Sequence, residues 1–211
     1  MDTARAPRSR IYDGGFYARV MDPFMVGLHG YVADHVEPGM TVVDAGCGTG
    51  SLVFRLAPTA KEVLGVDLSP AMVEYAQQRL ESTEVDNVSF ALGDLSTALA
   101  DRPDDSFDLA TLLMVLHEMP NDARVPVLTE LARVAREVMV VDFRVPMPWS
   151  FTGLRNRFIE LTAGLEHFNA FRDFTRRGGT AAIAATAELP CEHVRFLDAG
   201  TLEIHRIKHA E

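Results

Sequence analysis

The chain has 211 residues, of which 20 are basic and 30 acidic, giving a formal net charge of −10. Its length suits one domain with a real core, and 47% hydrophobic with 24% charged residues excludes a disordered or membrane-embedded chain. A net −10 with no basic stripe repels phosphate backbones, which disfavours nucleic acid as a partner and favours small molecules.

Residues 1–10 carry Arg5, Arg8 and Arg10 without the apolar core of a secretion signal, so they read as a tail. A helix ends in residues 31–36, stopped by Pro38-Gly39, and the β-branched run Thr41-Val42-Val43 starts the first strand. That strand enters the loop Gly46-Cys47-Gly48-Thr49-Gly50. A helix follows from Ser51, with Leu52, Val53, Leu56 and Ala57 at helical spacing, until Pro58. The second strand spans 62–66. Asp67-Leu68-Ser69-Pro70 opens the next helix, with Ser69 as its expected cap and Met72, Val73, Ala76 and Leu80 on its apolar face.

Residues 87–92 form a third strand ended by Gly93-Asp94, and 107–114 a fourth, apolar enough to be buried on both faces. Helix 121–136 and strand 137–142 come next. This alternation implies a parallel sheet with helices on both faces. After Pro146-Met147-Pro148 the pattern changes to two amphipathic helices within 151–177, carrying Phe158, Leu161, Phe168, Phe171 and Phe174. Those aromatics suit packing. An alanine-rich helix after Gly178-Gly179 precedes two strands, 191–197 and the alternating Leu202, Ile204 and Ile207, which make an edge hairpin and bring the strand count to seven.

Cys47 and Cys191 stand far apart without a Cys-x-x-Cys partner, which argues against a disulfide framework and for a reducing, cytoplasmic setting. No apolar run approaches the ~18 residues of a membrane span. No metal-ligating set is visible, so no metal is expected.

Glycines between a buried strand and a helix let a ligand approach the backbone. Here Ser51 takes the last glycine's place in the G-x-G-x-x-G dinucleotide fingerprint, so the loop fits that pattern imperfectly. Three acids, Asp44, Asp67 and Asp94, lie at the carboxyl ends of consecutive strands, where ligands of open α/β sheets sit. An acid inside the loop suits an ammonium or a cationic sulfur better than a pyrophosphate. Asp67 can accept both ribose hydroxyls, charge-assisted bonds worth about 1.5–3 kcal/mol each; its plainer role would be a helix cap. Asp94 is placed for an adenine amino group, with Leu95 beside it.

The motifs from Val42 through the glycine loop, then Gly65-Val66-Asp67-Leu68-Ser69, Gly93-Asp94, Phe107-Asp108 and Val115-Leu116-His117, resemble those of the class I S-adenosylmethionine-dependent methyltransferases. The resemblance covers residues 24–142 and is closest to the small-molecule branch that includes the quinone-biosynthesis C-methyltransferases. It implies a Rossmann-like, doubly wound α/β fold: a mostly parallel seven-stranded sheet with an antiparallel C-terminal edge hairpin and helices on both faces. It implies a single domain over 1–211, with residues 1–23 as an N-terminal tail or lid and 146–180 as a helical substrate lid.

For the cofactor S-adenosylmethionine, the resemblance assigns Asp44, Gly46, Cys47, Gly48 and Gly50 to the methionine end and Asp67 to the ribose. Leu68 and Met72 would flank the adenine, Asp94 and Leu95 meet its edge, and the Leu113 carbonyl meet the ammonium. Tyr12 and Tyr17 match a cofactor-covering aromatic segment. Motifs of the metal-dependent catechol, protein-arginine, nucleic-acid amino-group and arsenite branches are missing.

In-line methyl transfer needs chiefly positioning, which can supply about 7–11 kcal/mol. If the acceptor is a hydroxyl or a ring carbon, a base must take a proton. His117 is the candidate base, His167 a second, and a loop histidine bonded to a carbonyl the plain alternative. The expected activity is methyl transfer to a small, apolar or aromatic acceptor. A cofactor-binding fold without catalysis and a nicotinamide-linked oxidoreductase stay open, as does a homodimer.

Overall fold

The structure is a computed structural model that describes residues 14–208; Tyr12 and the tail at 1–10 lie outside the described residues. The chain divides into two compact units, residues 1–98 and 99–211.

In the first unit, helices α1 (Gly14–Val20) and α2 (Asp22–Ala33) precede β1 (Thr41–Ala45), α3 (Ser51–Leu56), β2 (Glu62–Asp67), α4 (Pro70–Glu81) and β3 (Val88–Leu92). The strands run parallel in the order β3-β2-β1, with Asp44 beside Gly65 and Asp67 beside Leu92. Short connections through helices force parallel neighbours. The β-branched and aliphatic runs explain the burial of Val42, Val43, Val63 and Val66, all 0% exposed. Asn87, read as strand, instead sits before β3, where its amide donates to the carbonyls of Ala57 and Ala60, both at 2.9 Å.

The second unit contains β4 (Leu109–Leu113), α5 (Asn121–Val134), β5 (Glu137–Phe143), α6 (Phe151–Ala163), α7 (Leu165–Arg176), α8 (Gly179–Thr186), β6 (Cys191–Leu197) and β7 (Leu202–Lys208). β4 and β5 are parallel, and β7 returns antiparallel to β5 with β6 on its far side. The seven strands therefore have the mostly parallel arrangement with an antiparallel C-terminal hairpin read from the sequence. β4 is shorter than expected. Phe107 makes only an isolated bridge to Ala135, and Met114 turns out of the strand at φ 57° while its N–H keeps a 2.8 Å bond to the Val141 carbonyl.

The aromatics of α6 and α7 divide. Phe171 and Phe174 are core, whereas Phe158 is 66% exposed. Gly164 separates the two helices at φ 132° and ψ 159°, a conformation that side chains resist. Arg124 of α5 is buried, on the same helix face as Leu128 and Leu131. Its guanidinium donates to the carbonyls of Leu116 (3.0 Å) and Ala170 (2.9 Å) and to Asp173 (2.8 Å). Among the described residues no helix is long and apolar enough to cross a membrane.

Candidate functional site

Two places concentrate the chemistry, one in each unit. In the first, the loop after β1 is held from several directions. The Gly46 and Cys47 N–H groups donate to the Val66 carbonyl, and the Asp22 carboxylate accepts from the hydroxyls of Thr49 (2.7 Å) and Ser51 (2.5 Å). Arg79 of α4 donates to the Thr49 carbonyl at 2.9 Å. Neither Asp22 nor Arg79 was singled out by the sequence reading; the Asp22-Pro23 helix start is the only local signal for the first.

Glycine is required at Gly50, where φ is 76° and a Cβ would come within 2.6 Å of the Phe90 ring. Gly48 also has positive φ, 53°, yet a Cβ there would meet nothing within 4 Å. That open face lets a ligand approach the backbone directly. Gly48 is also tied to Asp67: its N–H donates to one carboxylate oxygen at 2.8 Å, and the Ser69 N–H donates to the other at 2.8 Å. The Leu68 N–H also bonds this carboxylate, which leaves it an accepting position for a ligand hydroxyl. Burial raises the Asp67 pKa against the lowering effect of these N–H bonds. Ser69 makes no side-chain cap, contrary to expectation; the bond seen there is from its own N–H to the Asp67 carboxylate.

The remaining candidates are placed as follows. Asp44 is buried at the end of β1, and Cys47 is a buried thiol whose pKa burial and the charges of Asp44 and Asp67 push far up, leaving it unreactive. Leu68 is half exposed, Met72 and Leu95 are buried, and Tyr17 lies half-buried on α1. Asp94 is exposed, with one oxygen accepting from the N–H (2.9 Å) and hydroxyl (2.7 Å) of Ser96 and the other turned away from both. The donor set fits a nucleoside with vicinal hydroxyls: an anchored carboxylate, a backbone open at glycine and an apolar flank.

Leu113, at the carboxyl end of β4 in the second unit, is buried immediately before the Met114 kink. In that unit His117 follows in a turn and is 2% exposed. Its Nδ1 is 2.7 Å from the buried Asp142 carboxylate on β5, which also accepts the His117 backbone N–H at 3.2 Å. Its Nε2 faces Glu160 Oε2 at 3.7 Å and Glu118 Oε1 at 3.8 Å, while His167 Nε2 lies 2.5 Å from Glu160. Burial alone lowers the His117 pKa, but the charge and hydrogen bond of Asp142, with Glu160 and Glu118 behind it, outweigh burial and raise it to about 9. The structure thus brings His117 and His167, both candidates, together with three carboxylates the sequence reading missed. No motif announces them, because Glu118, Asp142 and Glu160 sit on separate elements.

Residues 42–137 match the family described as a methyltransferase domain. That stretch, a little under half of the chain, is similar in sequence to a methyltransferase domain. The chain is 35% identical over 104 residues to the magnesium-protoporphyrin O-methyltransferase of Rhodobacter capsulatus, covering 48% of this chain and 44% of that one. It is 29% identical over 170 residues to the ubiquinone biosynthesis O-methyltransferase of Xanthomonas campestris pv. campestris, covering 78% and 69%. The crystal structure of magnesium protoporphyrin IX methyltransferase from Synechocystis PCC 6803, with bound S-adenosylhomocysteine, superposes with a TM-score of 0.62 at 20% identity over 98% of this chain and 90% of that one. This chain spans only 15% to 44% of the length of three of its curated relatives, an rRNA uracil-C5 methyltransferase of Alkalilimnicola ehrlichii among them. The matched stretch includes the glycine loop, Asp67, Asp94 and His117.

Proposed function

We propose that the protein transfers a methyl group from S-adenosylmethionine to a small acceptor, apolar or aromatic in character. The observation that carries the reading is the Asp67 carboxylate, anchored by the Gly48 and Ser69 N–H groups inside the matched domain. In this reading Asp67 binds the ribose hydroxyls, the Gly46–Gly50 loop and Asp44 the methionine end, Leu68 and Met72 the adenine faces, and Asp94 and Leu95 its edge. The Leu113 carbonyl receives the ammonium, and Tyr17 closes the cofactor side. When bound, the cofactor supplies the electrophilic methyl.

His117 is the proposed base. Asp142 fixes Nδ1, which leaves Nε2 as the atom that takes an acceptor proton; because the surrounding carboxylates hold the imidazole protonated up to about pH 9, only the fraction that has lost the Nε2 proton acts, and turnover should rise with pH toward 9. Residues 146–180 would form the acceptor's lid. A cavity of about 330 Å³ in this unit supports an aromatic acceptor, being lined by Pro146, Trp149, Phe168 and Phe171. Arg157 and Arg172 at its wall would meet an oxygen-rich substituent. The net charge of −10 disfavours RNA as the acceptor.

Isothermal titration with S-adenosylmethionine and S-adenosylhomocysteine tests the reading, followed by radiolabelled methyl transfer to a panel of phenols, quinols and tetrapyrroles. Micromolar binding and label on an aromatic acceptor are expected. Heat from NADH with none from either methionine nucleoside would overturn the assignment. His117→Ala should lower turnover by about 10²–10⁴ with little change in cofactor affinity.

A further inference from the structure

His117, Glu160 and His167 come from three separate segments: the turn after β4, α6 and α7. One nitrogen or oxygen from each lies within 4.8 Å of those of the other two. Their side chains are 2%, 8% and 12% exposed, so the group is a built interior arrangement rather than a chance meeting of surface charges. Three carboxylates, Glu118, Asp142 and Glu160, surround the two imidazoles.

We propose that this cluster binds a first-row divalent transition-metal ion of the zinc type, through His117 Nε2, a Glu160 carboxylate oxygen and His167 Nε2. Two imidazoles among three ligands select such an ion over magnesium or calcium, which take oxygen donors. Three protein ligands also leave a coordination position open, as in zinc sites that act on a substrate. With bonds of about 2.0–2.1 Å, donors on a tetrahedral ion stand about 3.4 Å apart. His117 Nε2 is 3.7 Å from Glu160, and His167 Nε2 is 2.5 Å from it, so seating the ion requires the Glu160–His167 pair to open by less than 1 Å and the two imidazole donors, within 4.8 Å of each other, to close by about 1.4 Å at most.

Asp142 completes the arrangement. Its bond to Nδ1 turns the His117 Nε2 lone pair toward Glu160, the way outer carboxylates orient metal-bound histidines. Glu118, 3.8 Å from His117 Nε2 and more exposed than the rest, flanks the site on its more open side. An ion with a free position would bind a hydroxyl and lower its pKa, and with the Nε2 lone pair on the ion this activation takes the place of the base role of His117 in the metal-bound chain. The ligand class is therefore a divalent ion with a hydroxyl-bearing small molecule beside it.

The test uses the whole chain, stripped with chelator, without methyl donor or acceptor, so that it stands apart from the methyl-transfer reading. Co²⁺ is followed by its visible absorption and Zn²⁺ by calorimetry. The expected result is one ion per chain with a dissociation constant of about 1 μM or below. His167→Gln, at the least buried ligand, and Glu160→Gln should each weaken binding at least 100-fold, and Asp142→Asn, which removes no ligand, about 10- to 100-fold. Circular dichroism confirms that each variant is folded, and Co²⁺ should raise the melting temperature of the wild type but not of His167→Gln. The inference is overturned if the stripped protein takes up neither ion, if His167→Gln and Glu160→Gln bind as the wild type does, or if the cobalt spectrum shows a thiolate ligand.

Discussion

The glycine loop of the first unit and the histidine cluster of the second solve the same problem, holding polar groups ready inside a folded chain, by opposite means. In the loop the donors are backbone N–H groups, and Gly48 and Asp67, 19 residues apart, lock together across one strand-helix-strand unit. In the cluster the groups that face one another at its centre are side chains, and His117 and Asp142 are 25 residues apart. A backbone-built site tolerates many changes of side chain but none that alter its dihedral angles. A site built of side chains depends on elements arriving in register.

Asp67→Ala should produce the largest effect, a loss of S-adenosylmethionine affinity of about 10²–10⁴-fold, since two charge-assisted bonds vanish together. Calorimetry reads it, and an unchanged Zn²⁺ titration of the same variant would show that the two sites are independent. Arg124→Met attacks the packing behind the cluster. With the buried Leu116 and Ala170 carbonyls left without their donor and Asp173 left to Arg177, stability in urea should fall by about 2–4 kcal/mol. A loss under 1 kcal/mol would mean that water replaces the guanidinium.

Gly50→Ala probes the loop in the same way. Positive φ and the Phe90 ring at 2.6 Å should together cost about 2–3 kcal/mol, and Phe90→Ala should recover the steric part. The smallest effect depends on pH. Glu203 on β7, paired across strands with Asp142, has its pKa pushed up to about 7 by burial, with the Val145 N–H and Arg144 opposing and Asp142 adding to the rise. The folded chain therefore holds this proton more tightly than the unfolded one. The stabilisation is fully present below about pH 4.5 and lost as pH rises through 7. Glu203→Gln removes that loss, so its stability relative to wild type should improve by about 1–2 kcal/mol between pH 4.5 and 8. His205, which burial and the His193 charge hold down to about 4, titrates in both proteins and cancels. A flat difference would show that Glu203 ionises freely.

From β1 onward the element order was legible because each βα step is a contiguous signal, an apolar run followed by a stop; α1 lies in the stretch read as a tail or lid. Asp67 was legible for the same reason, standing at the end of β2 with Ser69-Pro70 after it. What escaped reading was everything that requires distant segments to meet. Asp22, 27 residues from Thr49, looks like an ordinary helix start, and Arg124 on a helix of mixed pattern looks like a solvated charge. The cluster was half visible: His117 and His167 stood out as lone titratable residues, but only the return of α6 and α7 gives them Glu160 in common. Ser69 stands at the cap position, but a capping hydroxyl also needs the right rotamer, and that choice is not written in the residue type.

Gly164 lies exposed between α6 and α7, with the proposed ligands Glu160 and His167 on either side of it. An exposed peptide outside regular structure is where a protease cuts first. A single cut there would divide the chain into two fragments, with Glu160 on the first and His167 on the second. The second fragment would still carry Phe171, Phe174 and the Asp173 carboxylate that Arg124 grips from the first. The nicked protein should therefore migrate as one particle under native conditions and as two bands in denaturant, held together by its core after its covalent continuity is gone.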